Sequence, residues 1–82
     1  MNDDNALQQK QSQEDVLEYF KYTANKGITS SQLIVGYANM YGLRGRERNP
    51  ELARDYFERA AQAGEREAFG QLGNIYAKGI GV

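Results

Sequence analysis

Apolar side chains in the second half of the chain recur at the spacing of an α-helix. From Glu51 onward they fall three or four residues apart, which places them on one stripe of a helix. Asn49 is a good N-cap, and Pro50 suits the first helical position because its missing N–H needs no partner there. Gly64 is expected to end the helix in a left-handed conformation. The stripe consists of Leu52, Ala53, Tyr56, Phe57, Ala60 and Ala61.

A similar stripe lies earlier in the chain, in the segment that ends at Gly27. Ser12 and Asp15 have the spacing of a capping box, which predicts that this helix begins at Ser12. The polar residues 1–13 are expected to form a tail or linker. The apolar and small positions of the stripe are Val16, Leu17, Tyr19, Phe20, Thr23 and Ala24.

The chain contains an internal repeat with a period of 37 residues. Each period is predicted to contain an opening helix and a closing helix. The opening helices are expected at 30–41 and 67–78, ended by Gly42 and Gly79. Gly36 and Gly73 fall inside them, where a glycine costs about 1 kcal/mol relative to alanine. Because Gly36 and Gly73 occupy equivalent positions of the repeat, we expect a neighbouring helix to lie close to each of them. The aligned identities are Glu14/Glu51, Tyr19/Tyr56, Phe20/Phe57, Ala24/Ala61, Gly27/Gly64, Gly36/Gly73 and Gly42/Gly79.

These elements predict an all-α fold, a right-handed superhelix of helix pairs with about four helices. Residues 14–27 are assigned to the closing helix of one repeat, 28–64 to a full repeat, and 65–82 to the opening helix of the next. Because about three repeats are usually needed for a stable solenoid, we expect a segment of a longer protein. The apolar side formed by Ala68, Leu72 and Tyr76 is then expected to lack its partner.

Composition removes most catalytic chemistries. The 82 residues include no cysteine and no histidine, so thiol catalysis, disulfides and histidine-based catalysis are excluded. We therefore expect no enzyme activity, no cofactor and no metal site. Ten basic and eleven acidic residues give a net charge of −1, which does not favour nucleic acid. Membrane insertion by this segment is not expected either. The alternating Arg44, Arg46 and Arg48 are interpreted as a solvated loop, since Glu47 sits among them.

The repeat resembles the Sel-one-like repeat family, a relative of the tetratricopeptide repeat. The resemblance covers about residues 14–82 and implies a non-catalytic scaffold for protein–protein interaction. Asn39 departs from it at a tyrosine position, Arg46 at a valine position, and the loop that starts at Gly42 is one residue longer. The motifs are Ala68-x-x-x-Leu72-Gly73-x-x-Tyr76-x-x-Gly79-x-Gly81-Val82 and Ala53-x-x-Tyr56-Phe57-x-x-Ala60-Ala61-x-x-Gly64.

A narrower resemblance is to the lumenal adaptor family of the endoplasmic-reticulum Hrd-type ubiquitin ligases. It rests on residues 14–20 with Gly27, on Gly42-Leu43-Arg44-Gly45 and on 55–64. It implies a role in endoplasmic-reticulum-associated degradation, ubiquitin ligase subunits as partners, and a lumenal location. Two alternatives stay open. One is a bacterial signalling or secretion scaffold in the cytoplasm or envelope. The other is a self-assembly module that forms a homo-oligomer through its terminal helices.

The resemblance implies that partners bind on the concave face of the solenoid, which the opening helices line. Within the first opening helix, the candidate binding residues are those that remain when the positions expected to be buried are set aside, namely Ser31, Val35, Gly36 and Asn39. Tyrosine is enriched at binding hot spots, although packing of these aromatics against a neighbouring helix is the competing interpretation. The predicted protein-binding residues are Leu33, Tyr37, Met40, Tyr41, Asn74 and Lys78, with Gly70 and Ala77 beside them.

Overall fold

The computed structural model describes residues 3–79, and their side chains from Ser12 onward. Each helix in this range packs on the next one along the chain. The expected all-α class is thus confirmed, with four helices in the described range whose packing is consistent with a helical repeat. No helix among residues 3–79 combines the length and the apolarity that crossing a membrane requires. The helices are α1 (Asp3–Asn25), α2 (Thr29–Tyr41), α3 (Pro50–Gln62) and α4 (Arg66–Lys78).

Local sequence signals set most of the helix ends. The Asn49 side-chain Oδ1 accepts a hydrogen bond from the Leu52 backbone N–H at 3.2 Å, so the predicted N-cap of α3 is confirmed. The glycines expected after α2, α3 and α4 have φ angles in the left-handed region, which favours glycine. These are Gly42 (φ 70°), Gly64 (φ 89°) and Gly79 (φ 67°).

The predicted start of the first helix is wrong. Helix α1 begins at Asp3, so Ser12 lies inside it and cannot cap its N-terminus. Residues 3–13 contain neither glycine nor proline and include alanine, leucine, glutamine and lysine, which are good helix formers. The helix therefore continues through the segment expected to be a tail, while residues 1–2 lie outside the described range.

Two adjoining clusters of buried side chains form the core. Helix α2 lies between α1 and α3, and its Val35 and Asn39 are fully buried. The predicted apolar stripe of α3 is confirmed, since all of its members except the partly buried Leu52 are buried. One cluster contains Met40, Ala53, Phe57, Ala60, Ala61, Ala68 and Ile75. The other contains Leu17, Ala24, Val35, Ala38 and Tyr56.

The two mid-helix glycines have different surroundings. A Cβ on Gly36 would lie 2.8 Å from Cε1 of the fully buried Phe57, so the predicted close approach is confirmed there. A Cβ on Gly73 would have no atom of the described chain within 4 Å. The predicted close approach is therefore wrong at Gly73, because no described helix lies against that side of α4.

The predicted unpartnered side of α4 is correct in part. Tyr76 is 53% exposed and Leu72 is only partly buried. The prediction is wrong for Ala68, which is fully buried in the cluster that contains Phe57. Ala68 and Ile75 are buried against α3, whereas Tyr76 lies exposed beside it and donates from its hydroxyl to Oε1 of Glu58 on α3 at 3.4 Å.

Candidate protein-binding surface

Helices α2 and α4, the two opening helices, are joined by a hydrogen bond. The Tyr37 hydroxyl of α2 donates to Oε2 of Glu67 on α4 at 2.7 Å. This bond links two helices that are separated in sequence by α3. We call the predicted protein-binding face of these helices the opening-helix surface; it consists of Leu33, Tyr37 and Tyr41 on α2 and of Gly70, Asn74 and Lys78 on α4.

Two tyrosines of α2 form the aromatic part of this surface. The rings of Tyr37 and Tyr41 stack, with centroids 6.3 Å apart and an interplanar angle of 12°. Tyr37 also contacts Phe57 edge-on at 5.2 Å, which attaches it to the core. Tyr41 is 55% exposed. Tyr37 therefore packs against α3, as the competing interpretation expected, and Tyr41 presents its ring to solvent. That either ring binds a partner stays a prediction.

The ionisation of Tyr37 reflects its position. Burial, and then the hydrogen bond and negative charge of Glu67, raise the pKa of Tyr37 from 10.0 to about 12. The hydroxyl therefore stays protonated at neutral pH and remains the donor to Glu67. This pair fixes the Tyr37 ring, and the ring in turn supports Tyr41.

The structure assigns the other predicted residues differently. Met40 is buried in the core cluster, so the prediction that it belongs to an exposed face is wrong. Leu33 is partly buried against the same cluster. Asn74 and Lys78 are exposed, as are Gly70 and Ala77. Their role in binding a protein stays a prediction.

The arginine-rich loop after α2 is held to the protein by its own side chains. Arg46 donates from Nε and Nη2 to Oδ1 of the buried Asn39, at 3.3 and 3.1 Å. Arg48 donates from Nε to the Met40 carbonyl at 3.1 Å, which satisfies a carbonyl in the last turn of α2. The interpretation as a solvated loop is confirmed for the exposed Arg44, Glu47 and Arg48, and it is wrong for Arg46, which is partly buried against Asn39. Arg44 is exposed, with its guanidinium 5.6 Å from the Phe20 ring centroid.

The bond between Asn39 and Arg46 joins the two departures from the family pattern. Asn39 Nδ2 donates to the Val35 carbonyl at 2.8 Å, and its Oδ1 accepts from Arg46. A buried polar side chain is thus satisfied by the residue that replaces the family's valine. The signal in the sequence was that both departures occur together, seven residues apart.

Among the residues that the structure describes, no three His, Cys, Asp or Glu side chains lie close enough together to bind one metal ion. The opening-helix surface offers an exposed tyrosine ring, a residue type enriched in contacts between proteins, together with the exposed side chains of Asn74 and Lys78.

Comparison with known proteins finds similarity to one repeat family and to one curated relative. The family model of the Sel1 repeat matches residues 29–65, which include α2, the arginine-rich loop and α3. A curated relative from Arabidopsis thaliana, the ERAD-associated E3 ubiquitin-protein ligase component HRD3A, is 35% identical over 77 residues. This match covers 93% of the chain but 11% of the length of HRD3A. No solved structure matches the chain significantly. Residues 29–65 thus match a Sel1 repeat, and over most of its length the chain is similar to a small part of HRD3A.

Proposed function

We propose that this chain is part of a non-catalytic scaffold that binds proteins within an ERAD-associated ubiquitin ligase. The observation that carries the proposal is the extent of the similarity to HRD3A. It spans 93% of the chain, whereas the Sel1 repeat model matches residues 29–65. The similarity thus reaches well outside the single matched repeat.

The proposed binding site is the opening-helix surface. Tyr41 supplies an exposed ring that is supported from beneath by Tyr37, so little side-chain entropy is lost when a partner covers it. Asn74 and Lys78 on α4 provide polar and charged contacts at its edge. A rigid tyrosine flanked by polar groups has the composition of a binding hot spot.

Affinity capture from detergent-solubilised membranes tests this proposal. The chain is tagged within the protein that contains it, and the recovered proteins are identified by mass spectrometry. A Tyr41→Arg variant is captured in parallel, with Tyr22→Arg as the matched control. Tyr22 is similarly exposed, at 61%, but lies on α1 outside the opening-helix surface.

The expected result is recovery of a ubiquitin ligase with the unmodified chain and with Tyr22→Arg. Recovery with Tyr41→Arg is expected to fall about tenfold or more, since truncation or replacement of a hot-spot residue costs about 2 kcal/mol or more. If no ubiquitin ligase is recovered, the proposed pathway is wrong. If both tyrosine variants recover it equally, the proposed surface is wrong.

A further inference from the structure

The loop that joins α2 to α3 borders a polar cavity at the C-terminal end of α2. The cavity has a volume of about 330 Å³. Because it is formed by a loop inside the matched repeat, it is separate from the exposed faces of α1 and α4. We call it the loop cavity, and its lining residues are Gly45, Arg46, Glu47, Arg48 and Asn49.

Two arginines of the loop cavity are held in place by neutral oxygen atoms. Arg46 donates from Nε and Nη2 to the Asn39 side-chain oxygen, and Arg48 donates from Nε to the Met40 carbonyl. Since a guanidinium has five N–H donors, three remain on Arg46 and four on Arg48. No acidic group of the described side chains lies within ion-pair distance of either guanidinium. Both groups are thus fixed in position and still able to bind an anion.

The loop cavity adjoins the exposed ring of the opening-helix surface. The Arg48 side chain passes beside Gly42, where a Cβ would lie 3.2 Å from Arg48 Cγ. Gly42 directly follows Tyr41, whose ring is 55% exposed. The bond to the Met40 carbonyl holds Arg48 at this same end of α2. The exposed ring and the basic cavity are therefore neighbours at the C-terminal end of α2.

The charges around the loop cavity favour a single carboxylate. Glu47 also lines it, so two guanidiniums and one carboxylate leave the lining with one net positive charge. One carboxylate neutralises that charge, whereas a doubly charged phosphate exceeds it. An adjoining cavity between α1 and the loop has the acids Glu14, Asp15 and Glu18 in its lining. These acids repel an anion, so an anion approaches from the side of Arg48.

We propose that the loop cavity selects partner proteins by binding an acidic side chain next to the residue that covers Tyr41. The guanidiniums of Arg46 and Arg48 bind the carboxylate, and an apolar neighbour in the same segment packs on the Tyr41 ring. The partner segment is thus an acidic stretch of a protein that contains an apolar residue. This inference rests on the proposed function, because it requires that the opening-helix surface binds a protein, and it adds the chemistry of the partner.

A partner's acid can reach the loop cavity without a change of the helices. Arg48 is exposed and Arg46 is partly buried. The exposed Glu47 is the acid of the lining, so it competes with the partner's carboxylate for the two guanidiniums. Removal of the Glu47 charge is therefore expected to strengthen the binding of an acidic segment, whereas removal of the Arg48 charge weakens it.

Titration of the purified 82-residue chain with two synthetic peptides, followed by nuclear magnetic resonance, tests the proposal. Both peptides place serines around one central phenylalanine, which is flanked by glutamates in one peptide and by glutamines in the other. The variants are Arg48→Gln and Glu47→Gln. Lys26→Gln is the matched control, since it removes an exposed base that lies outside the loop cavity. Circular dichroism checks that each variant retains its helices.

The glutamate peptide is expected to bind the unmodified chain and Lys26→Gln equally. The glutamine peptide is expected to bind about tenfold or more weakly, because it lacks the charged hydrogen bonds. Arg48→Gln is expected to weaken binding of the glutamate peptide about tenfold, and Glu47→Gln to strengthen it. The proposal is wrong if the two peptides bind equally, if Arg48→Gln weakens binding no more than Lys26→Gln, or if the glutamate peptide does not bind at about 1 mM.

The same experiment separates this proposal from the proposed function. If both peptides bind equally and Tyr41→Arg abolishes their binding, the opening-helix surface remains a protein-binding site and only its selection of acids is wrong. If the glutamate peptide binds as expected but affinity capture recovers no ubiquitin ligase, the proposed pathway is wrong and the selection of acids is supported.

Discussion

Replacement of Gly36 and of Gly73 by alanine is expected to change stability in opposite directions. Both glycines lie inside helices at equivalent repeat positions, so alanine improves helix propensity by about 1 kcal/mol at each. At Gly73 this gain is not opposed, because a Cβ there has no neighbour within 4 Å. The free energy of unfolding is therefore expected to rise by up to about 1 kcal/mol in Gly73→Ala.

At Gly36 the same methyl group meets a ring that cannot move aside. A Cβ would lie 2.8 to 3.0 Å from three carbons of Phe57, which is fully buried. Overpacking of this kind costs about 1–3 kcal/mol. Since the helix-propensity gain is common to both variants, the difference between them measures the overpacking alone. Gly36→Ala is expected to be about 1–3 kcal/mol less stable than Gly73→Ala.

Thermal and urea unfolding, followed by far-ultraviolet circular dichroism, measure this difference. For a domain of this size, 1 kcal/mol corresponds to a shift of about 4–8 °C in Tm. Equal changes in the two variants would refute the conclusion that Phe57 occupies the space beside Gly36 while the space beside Gly73 is empty.

Three further outcomes are expected. Arg46→Met leaves the buried Asn39 Oδ1 without a donor and lowers the free energy of unfolding by about 1–3 kcal/mol, measured by urea unfolding. In a double-mutant cycle, the variant that carries both Arg46→Met and Asn39→Leu is expected to lose less stability than the sum of the two single losses. Asn49→Ala removes the N-cap of α3 and lowers Tm by the equivalent of about 1 kcal/mol. The pKa of Tyr37 is about 12 in the folded chain and 10.0 in the unfolded chain. The protonated Tyr37 hydroxyl therefore contributes its full stabilisation below pH 10, and this stabilisation is lost as the pH rises to about 12. In a pH titration followed by tyrosinate absorbance, the tyrosine that ionises at the highest pH is expected to be absent from Tyr37→Phe and present in Tyr41→Phe.

Local signals in the sequence predicted most of the helices. The Asn49-Pro50 pair and the glycines at 42, 64 and 79 act through their own backbones, so their effect does not depend on distant parts of the chain. The start of α1 was predicted wrongly, because the spacing of Ser12 and Asp15 was interpreted as a capping box. Residues 3–13 contain neither glycine nor proline, so the helix continues through them to Asp3.

The candidate surface was predicted less well, because it depends on contacts between helices. Met40 was placed on the exposed face by treating α2 as a helix with one buried stripe. Helix α2 is covered by α1 on one side and by α3 on another, so more than one stripe is buried. The bonds of Arg46 and Arg48 to the end of α2 depend on the path of the loop, which residue spacing alone does not determine.

Photo-crosslinking from position 41 tests most directly that the opening-helix surface binds a protein. A photoreactive amino acid replaces Tyr41, or Tyr22 as the control, in the tagged protein, and the crosslinked products are identified by mass spectrometry. We expect a ubiquitin ligase component to be crosslinked from position 41 and not from position 22. Crosslinks to the same proteins from both positions, or none from position 41, would contradict the assignment of this surface as the binding site.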